Sequence, residues 1–159
     1  MRSIIDEVFK RVQKRELERL KFCVAFALFE HALKETFPAP SKRVARANWE
    51  AFEKSLPDLA ENASPKLQGA ISYVCNEPPK KQCVQNGRVV FTKATLTGTG
   101  NAAICEALRR IRNNLFHGGK QPYTDRDRQL VEAGLEIIEG YVQNSRRVQG
   151  AFKHGAGLL

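Results

Sequence analysis

Residues Ile104–Leu115 read ICEALRRIRNNL, and this stretch decides how the chain folds. Its apolar residues recur in steps of four, three and four, at Ile104, Leu108, Ile111 and Leu115. That spacing is typical of one face of an α-helix packed on a core. The pattern predicts a helix that begins near Asn101 and stops at the Gly118-Gly119 pair.

The same spacing, together with caps and prolines, predicts four more helices. Pro38 and Pro40 end the first of them, because proline cannot continue a helix. The four predicted helices are Ser3–Phe37, Lys42–Leu56 with Ser41 as N-cap, 65–75 after a Ser64-Pro65 cap, and a last one capped by Thr124 or Asp125.

A short insertion separates the third and fourth predicted helices. Cys83–Gln85 and Arg88–Phe91 flank Asn86-Gly87, a dipeptide typical of two-residue hairpin turns. We therefore predict an all-α, up-and-down bundle of about five helices with a small β-hairpin insertion near residues 83–92. Residues 1–150 are predicted to form a single domain, and the glycine-rich residues 151–159 a flexible tail.

The composition fits a folded protein with an anionic partner. The 159 residues are 42% hydrophobic and 27% charged, which excludes a largely disordered chain, a collagen-like fibre and a disulfide-rich mini-protein. The formal net charge of +9 favours a polyanion, most often nucleic acid, sometimes an acidic protein or a membrane surface. No apolar run is long enough to span a membrane, and the N-terminus lacks the features of a signal peptide.

The cysteines show no metal-binding spacing. Cys23, Cys75, Cys83 and Cys105 form no Cys-x-x-Cys pair and have no histidine at zinc-finger spacing. Free thiols in a reducing cytoplasm are the main expectation, and a Cys75–Cys83 bridge is the alternative. The sequence also lacks the nucleotide-binding, dehydrogenase, zinc-protease and esterase signatures, so no cofactor and no metal is expected.

The segment Leu108–Lys120, LRRIRNNLFHGGK, carries the chemistry. On a straight helix Arg112 lies on the flank of the apolar stripe beside Arg109, about 140° from His117. Asn113 and His117 share the solvent side. Arg112 and His117 could converge if the helix ends or bends at the glycines, or if a second copy faces the first across a dimer axis.

These residue types suit cleavage of an RNA phosphodiester. Histidine can take the 2′-hydroxyl proton or protonate the leaving 5′-oxygen. Arginine can bind the phosphate oxygens through its planar fork, and asparagine can position a phosphate or hydroxyl. This reaction requires no metal.

The run Arg112–His117 is an Arg-x4-His motif with a polar residue directly after the arginine, and it resembles the signature of the HEPN superfamily. The longer string IRNNLFHGGK is similar to stand-alone bacterial HEPN proteins. The resemblance implies an all-α homodimer in which two motifs line one basic cleft. It further implies a metal-independent endoribonuclease that leaves 2′,3′-cyclic phosphate ends, often a toxin or an anti-phage defence effector with a possible antitoxin or other regulatory protein.

The resemblance also suggests site residues. Arg112, Asn113 and His117 match the motif, and Glu30 best matches an acidic residue of the first helix. An ion pair of Glu30 with Arg112 or Arg109 is an equal alternative. Gly119 stands where one subgroup has a tyrosine that is modified by its antitoxin, so that control is not expected. Five further residues are predicted to extend an RNA-binding surface. They are the cations Arg109, Arg110, Lys120 and Arg126 and the amide side chain of Asn114.

Phe116 and Tyr123 are the local candidates for stacking on RNA bases. The alternatives to an enzyme are a non-catalytic RNA- or nucleotide-binding module and a dimeric protein-interaction module with an acidic partner.

Overall fold

The described part of the chain consists of helices with one small sheet between the third and fourth of them. A computed structural model describes residues 14–41, 43–116 and 123–158. The elements in these ranges are α1 (Lys14–Thr36), α2 (Trp49–Ser55), α3 (Pro65–Asn76), β1 (Lys81–Gln85), β2 (Arg88–Thr92), α4 (Gly100–Phe116), α5 (Asp125–Asn144) and α6 (Arg146–Gly155). The predicted helical class with a hairpin insertion is confirmed, with six helices in the described part rather than about five.

Several local signals act as predicted. Ser64 caps α3 by accepting a hydrogen bond from the Leu67 amide at 3.2 Å. Thr124 caps α5 in a reciprocal capping box with Asp127. In the hairpin, β1 pairs antiparallel with β2, and Asn86 and Gly87 both have positive φ (50° and 71°). That geometry is typical of the tight turn expected for Asn-Gly.

The prediction for the second helix is wrong at its start. Residues 43–48 are not helical, and Asn48 rather than Ser41 is the N-cap of α2, accepting from the Ala51 amide at 3.1 Å. The backbone here runs back along the end of α1. The backbone N–H of Asn48 donates to the Phe37 carbonyl at 2.7 Å, and Pro38 and Ala47 form an isolated antiparallel β-bridge. Pairing with this neighbouring strand-like segment holds the chain extended.

The C-terminal residues differ from the predicted flexible tail. Ser145 caps a separate helix, α6, and residues 151–155 belong to it. Val148 of α6 is fully buried, and α6 packs along α1. The two helices approach so closely that a Cβ atom at Gly155 would lie 2.9 Å from Cδ2 of His31. Packing on α1 therefore orders a glycine-containing segment that has little helix propensity of its own.

The core takes buried side chains from all six described helices. The four residues of the α4 stripe, Ile104, Leu108, Ile111 and Leu115, are all buried, as predicted. Aromatic rings fill the centre, with Phe29 stacked on Tyr141 at 5.9 Å and Phe52 edge-on to both rings.

All four cysteines are free, so the alternative Cys75–Cys83 bridge is not formed. Among the described residues, no helix has the length and apolar character needed to cross a membrane. The Gly118-Gly119 stop lies outside the described residues.

Candidate functional site

The polar residues of α4 are divided between two sides of the helix. Arg110 and Asn114 are one turn apart and both contact the segments at the base of the hairpin. Arg112 is two residues from each, so it lies about 160° away from both around the helix axis. It faces α1, where its guanidinium lies over the ring of Phe26. The cations of the motif segment are therefore not one continuous patch.

Arg112 is half-buried and held by aromatic and amide neighbours. Its guanidinium carbon lies 4.8 Å from the centre of the Phe116 ring and 6.0 Å from that of Phe26. Its Nη1 donates to Oδ1 of Asn113 at 3.0 Å. Within the described ranges no carboxylate forms an ion pair with Arg112, whereas Arg109, on the same helix, pairs with Glu53. The arginine fork is therefore oriented yet available for an anion.

A second arginine, from α1, lies on the same side. Nη2 of Arg19 donates to the Leu115 carbonyl at 3.3 Å, and its guanidinium lies over the Tyr123 ring at 5.6 Å. Burial raises the pKa of the Cys23 thiol, while the charges of Arg19 and Arg112 both oppose that rise. The hydrogen bond to Leu115 places Arg19 at the last turn of α4, one turn from Arg112. Sequence reasoning missed Arg19, because nothing but its charge distinguishes it.

We call this region the Arg19–Arg112 surface, defined by Arg19, Cys23, Arg112, Asn113 and Phe116. Asn113 is exposed, and Phe116 keeps 50% of its surface accessible although it is aromatic. An exposed ring beside two guanidinium groups offers a face for a base and donors for phosphate. The surface therefore has the chemical character of a site for single-stranded nucleic acid.

Glu30 is not brought together with Arg112 or Arg109. Its carboxylate lies 3.8 Å from Nζ of Lys34, one turn along α1, and this is its ion pair in the described part of the chain. Arg109 instead reaches Glu53 of α2 at 3.8 Å and lies 5.2 Å from the ring centre of Trp49. The ion pair of Glu30 with Arg112 or Arg109 is therefore not formed, and the match of Glu30 to an acidic residue of the family's first helix stays a prediction.

Arg110 is buried, and its side chain is bonded to other parts of the protein. It is only 7% exposed, and its guanidinium donates to the carbonyls of Pro79 (3.3 Å), Ala94 (2.6 Å) and Thr95 (2.7 Å) and to Glu106 (2.6 Å). With its charge paired and its donors occupied, Arg110 is not available to a phosphate. It is therefore a correction to the predicted RNA-binding set.

Asn114 is the second correction. Its side chain is buried, and its Nδ2 donates to the Lys80 carbonyl at 2.9 Å. Like Arg110, it ties the motif helix to the hairpin and does not present a surface for RNA.

Arg126 occupies a third location, in the first turn of α5. It pairs with Glu77 at 3.4 Å, donates to the Glu77 carbonyl, and lies 4.4 Å from the ring centre of Tyr73. His117 and Lys120 lie outside the described residues. The arrangement thus brings Arg112 and Asn113 together, adds Arg19, and separates Arg110, Asn114, Arg126 and Glu30 from them.

In the described ranges, no group of three or more His, Cys, Asp or Glu side chains is placed to hold a metal ion. No family model, curated protein or solved structure matches the chain.

Proposed function

We propose that the protein is a metal-independent endoribonuclease of the HEPN type, which cleaves RNA by 2′-hydroxyl attack and leaves a 2′,3′-cyclic phosphate. It acts as a homodimer, and as a toxin or an anti-phage defence effector. The observation that carries the proposal is the guanidinium of Arg112, which is oriented by Phe116 and Asn113 and has no carboxylate partner among the described residues. Arg19 is bonded to the carbonyl of Leu115, one turn further along α4.

Arg112 stabilises the transition state. As the 2′-oxygen attacks, negative charge accumulates on the non-bridging phosphate oxygens, and a charged fork of N–H donors binds these oxygens more strongly than it binds the ground state. Phe116 supports one face of the guanidinium, and Asn113 accepts from Nη1. These contacts fix the direction of the remaining donors before substrate arrives. Asn113 also keeps its own amide N–H groups for the substrate.

His117 moves the protons. A neutral imidazole accepts the proton of the attacking 2′-hydroxyl, and an imidazolium gives a proton to the leaving 5′-oxygen. In a homodimer the two copies of His117 can divide these steps between them. Arg19 and Phe116 then bind the flanking phosphate and base, so affinity falls as salt concentration rises.

A cleavage assay with matched variants tests the proposal. Total bacterial RNA is incubated in excess EDTA with wild type, His117→Ala, Arg112→Ala and a control, Arg147→Ala, and the 3′ ends of the fragments are identified. Arg147 is a suitable control because it is also stacked on a phenylalanine, 5.5 Å from the ring centre of Phe37, but on α6. Circular dichroism checks that each variant is folded.

We expect wild type and Arg147→Ala to produce cyclic phosphate ends at equal rates. Each motif variant should lose at least about 100-fold in rate, the scale of one acid–base group or one transition-state donor. Full cleavage by either motif variant contradicts the assigned roles. Salt-sensitive RNA binding without cleavage by wild type would instead favour the non-catalytic binding module. Sedimentation of the wild type as a monomer at assay concentration would contradict the dimer.

A further inference from the structure

A cavity lies at the base of the hairpin, on the side of α4 that faces away from Arg112. It has a volume of about 650 Å³ and opens between the end of α3, the outer ends of the hairpin strands and the start of α5. This size is within the range of small-molecule sites. The lining residues that matter to the argument are Pro78, Pro79, Lys80, Lys93, Arg126 and Leu130.

The charge of this cavity is positive. Lys80 and Lys93 are exposed, and within the described ranges neither forms an ion pair with a carboxylate. Arg126 is different, because Glu77 at the rim neutralises it. The sequence from Pro78 to Cys105 contains no Asp or Glu at all. Two ammonium groups therefore remain to attract an anion.

Side chains of α4 bind the backbone segments that line the cavity. Arg110 binds the carbonyls of Pro79, Ala94 and Thr95, and Asn114 binds that of Lys80. Each of these four carbonyls belongs to a residue that lines the cavity. The backbone positions from which Lys80 and Lys93 extend are thus fixed in the unliganded protein, which lowers the entropy lost on binding.

We propose that this cavity binds an organic phosphate, with the phosphate on Lys80 and Lys93 and a flat or apolar portion against the proline rings and Leu130. A nucleotide has this chemistry, either as a free nucleoside monophosphate or as one unit of an RNA chain. The site goes beyond the proposed ribonuclease activity, because the residues on which it is argued, Lys80, Lys93 and Leu130, are not those proposed for catalysis, and it needs no cleavage.

Isothermal titration calorimetry tests the site in two arms. One arm titrates adenosine 5′-monophosphate, phenyl phosphate and inorganic phosphate, and the other titrates a 2′-O-methyl RNA 10-mer, which cannot be cleaved by 2′-hydroxyl attack. The variants are Lys80→Ala/Lys93→Ala, which removes the charge, and Ala94→Phe, which fills the cavity without changing charge. Lys153→Ala, an exposed lysine on α6, is the control for loss of positive charge.

We expect each cavity variant to weaken binding at least ten-fold and Lys153→Ala to change it less than two-fold. Cavity-dependent binding of the monophosphates identifies a free ligand, and cavity-dependent binding of the 10-mer alone identifies a unit of RNA. Both outcomes support the site. Affinities unchanged in the double lysine variant, which alters only exposed side chains, would overturn it, as would inorganic phosphate binding as tightly as both organic phosphates. Arg112→Ala should bind the two organic monophosphates as wild type does, because Arg112 lies on the other side of α4 from the cavity, so failure of the ribonuclease proposal is seen separately.

Discussion

Replacement of Arg110 by methionine should destabilise the protein far more than replacement of the adjacent Arg109. Both changes remove one positive charge from the same helix and keep a long apolar side chain. Arg110 is 7% exposed, whereas the side chain of Arg109 is 42% exposed. Comparison of the two variants therefore distinguishes the effect of a buried arginine from that of a surface arginine on the same turn of α4.

The magnitude follows from what each guanidinium binds. Arg110→Met removes the guanidinium donor from three carbonyls at the base of the hairpin. It also removes the charged partner of the Glu106 carboxylate, which keeps only its hydrogen bonds from Thr97. Breaking a buried charge pair of this kind costs about 3–5 kcal/mol. Arg109 holds Glu53 at 3.8 Å and lies over Trp49, contacts that together contribute about 1 kcal/mol at a half-exposed position. The difference is large compared with the total stability of about 5–15 kcal/mol usual for a domain.

Urea unfolding followed by circular dichroism at 222 nm measures both free energies, and a loss below about 1 kcal/mol for Arg110→Met would refute the reasoning. Equal losses for the two variants would refute it as well, because burial and bonding would then not distinguish them. Amide hydrogen exchange adds a local readout: protection in β1 and β2 should fall in Arg110→Met and stay unchanged in Arg109→Met.

Three further outcomes are expected. Gly134→Ala should lower the free energy of unfolding by about 1–3 kcal/mol, because the added Cβ would lie 2.5 Å from the Phe22 ring. Gly69→Ala, whose Cβ would meet no atom within 4 Å, should raise the free energy of unfolding by about 0.5–1 kcal/mol, and the same urea titrations measure both. Burial raises the pKa of Glu106, but hydrogen bonds from Thr97 and Arg110 outweigh it and hold the pKa below 4.5. The stability that Glu106 adds is therefore present above pH 4.5 and lost as pH falls through its folded pKa. In urea titrations repeated at decreasing pH, the free energy of unfolding of a Glu106→Gln variant should fall less steeply than that of wild type. Burial raises the pKa of the Cys105 thiol to about 12, so this thiol should not react in the folded protein. Mass spectrometry after iodoacetamide treatment at pH 8 should find Cys105 labelled only in unfolded protein. Rapid labelling of the folded protein would contradict this, because it would show that the thiol is accessible.

The candidate site was predictable in part. The motif segment contains Arg112 and Asn113 next to each other, so their proximity required no tertiary information, and the structure adds the hydrogen bond between them. Arg19 could not be found from sequence because it reaches this surface only through the packing of α1 against α4. Glu30 differs, because its partner Lys34 lies four residues away on the same helix rather than on α4, and that spacing is visible in the sequence.

Sequence alone determined those elements whose signals are local. The stripe of α4, the caps Ser64 and Thr124 and the Asn86-Gly87 turn each depend on a few consecutive residues, because helix periodicity, capping and positive φ are short-range effects. Tertiary structure decided the rest. Backbone pairing with the end of α1 kept residues 43–48 out of a helix, and burial of Val148 against the core ordered α6.

Tertiary structure also decided which arginine of the motif helix does what. Arg109, Arg110 and Arg112 look alike in sequence, since each is a cation on one helix. Once the helix is packed, the hairpin buries Arg110 among carbonyl acceptors, Arg109 pairs with Glu53, and Arg112 has no carboxylate within the described ranges. The availability of a guanidinium depends on what surrounds it, and distant parts of the chain supply those surroundings.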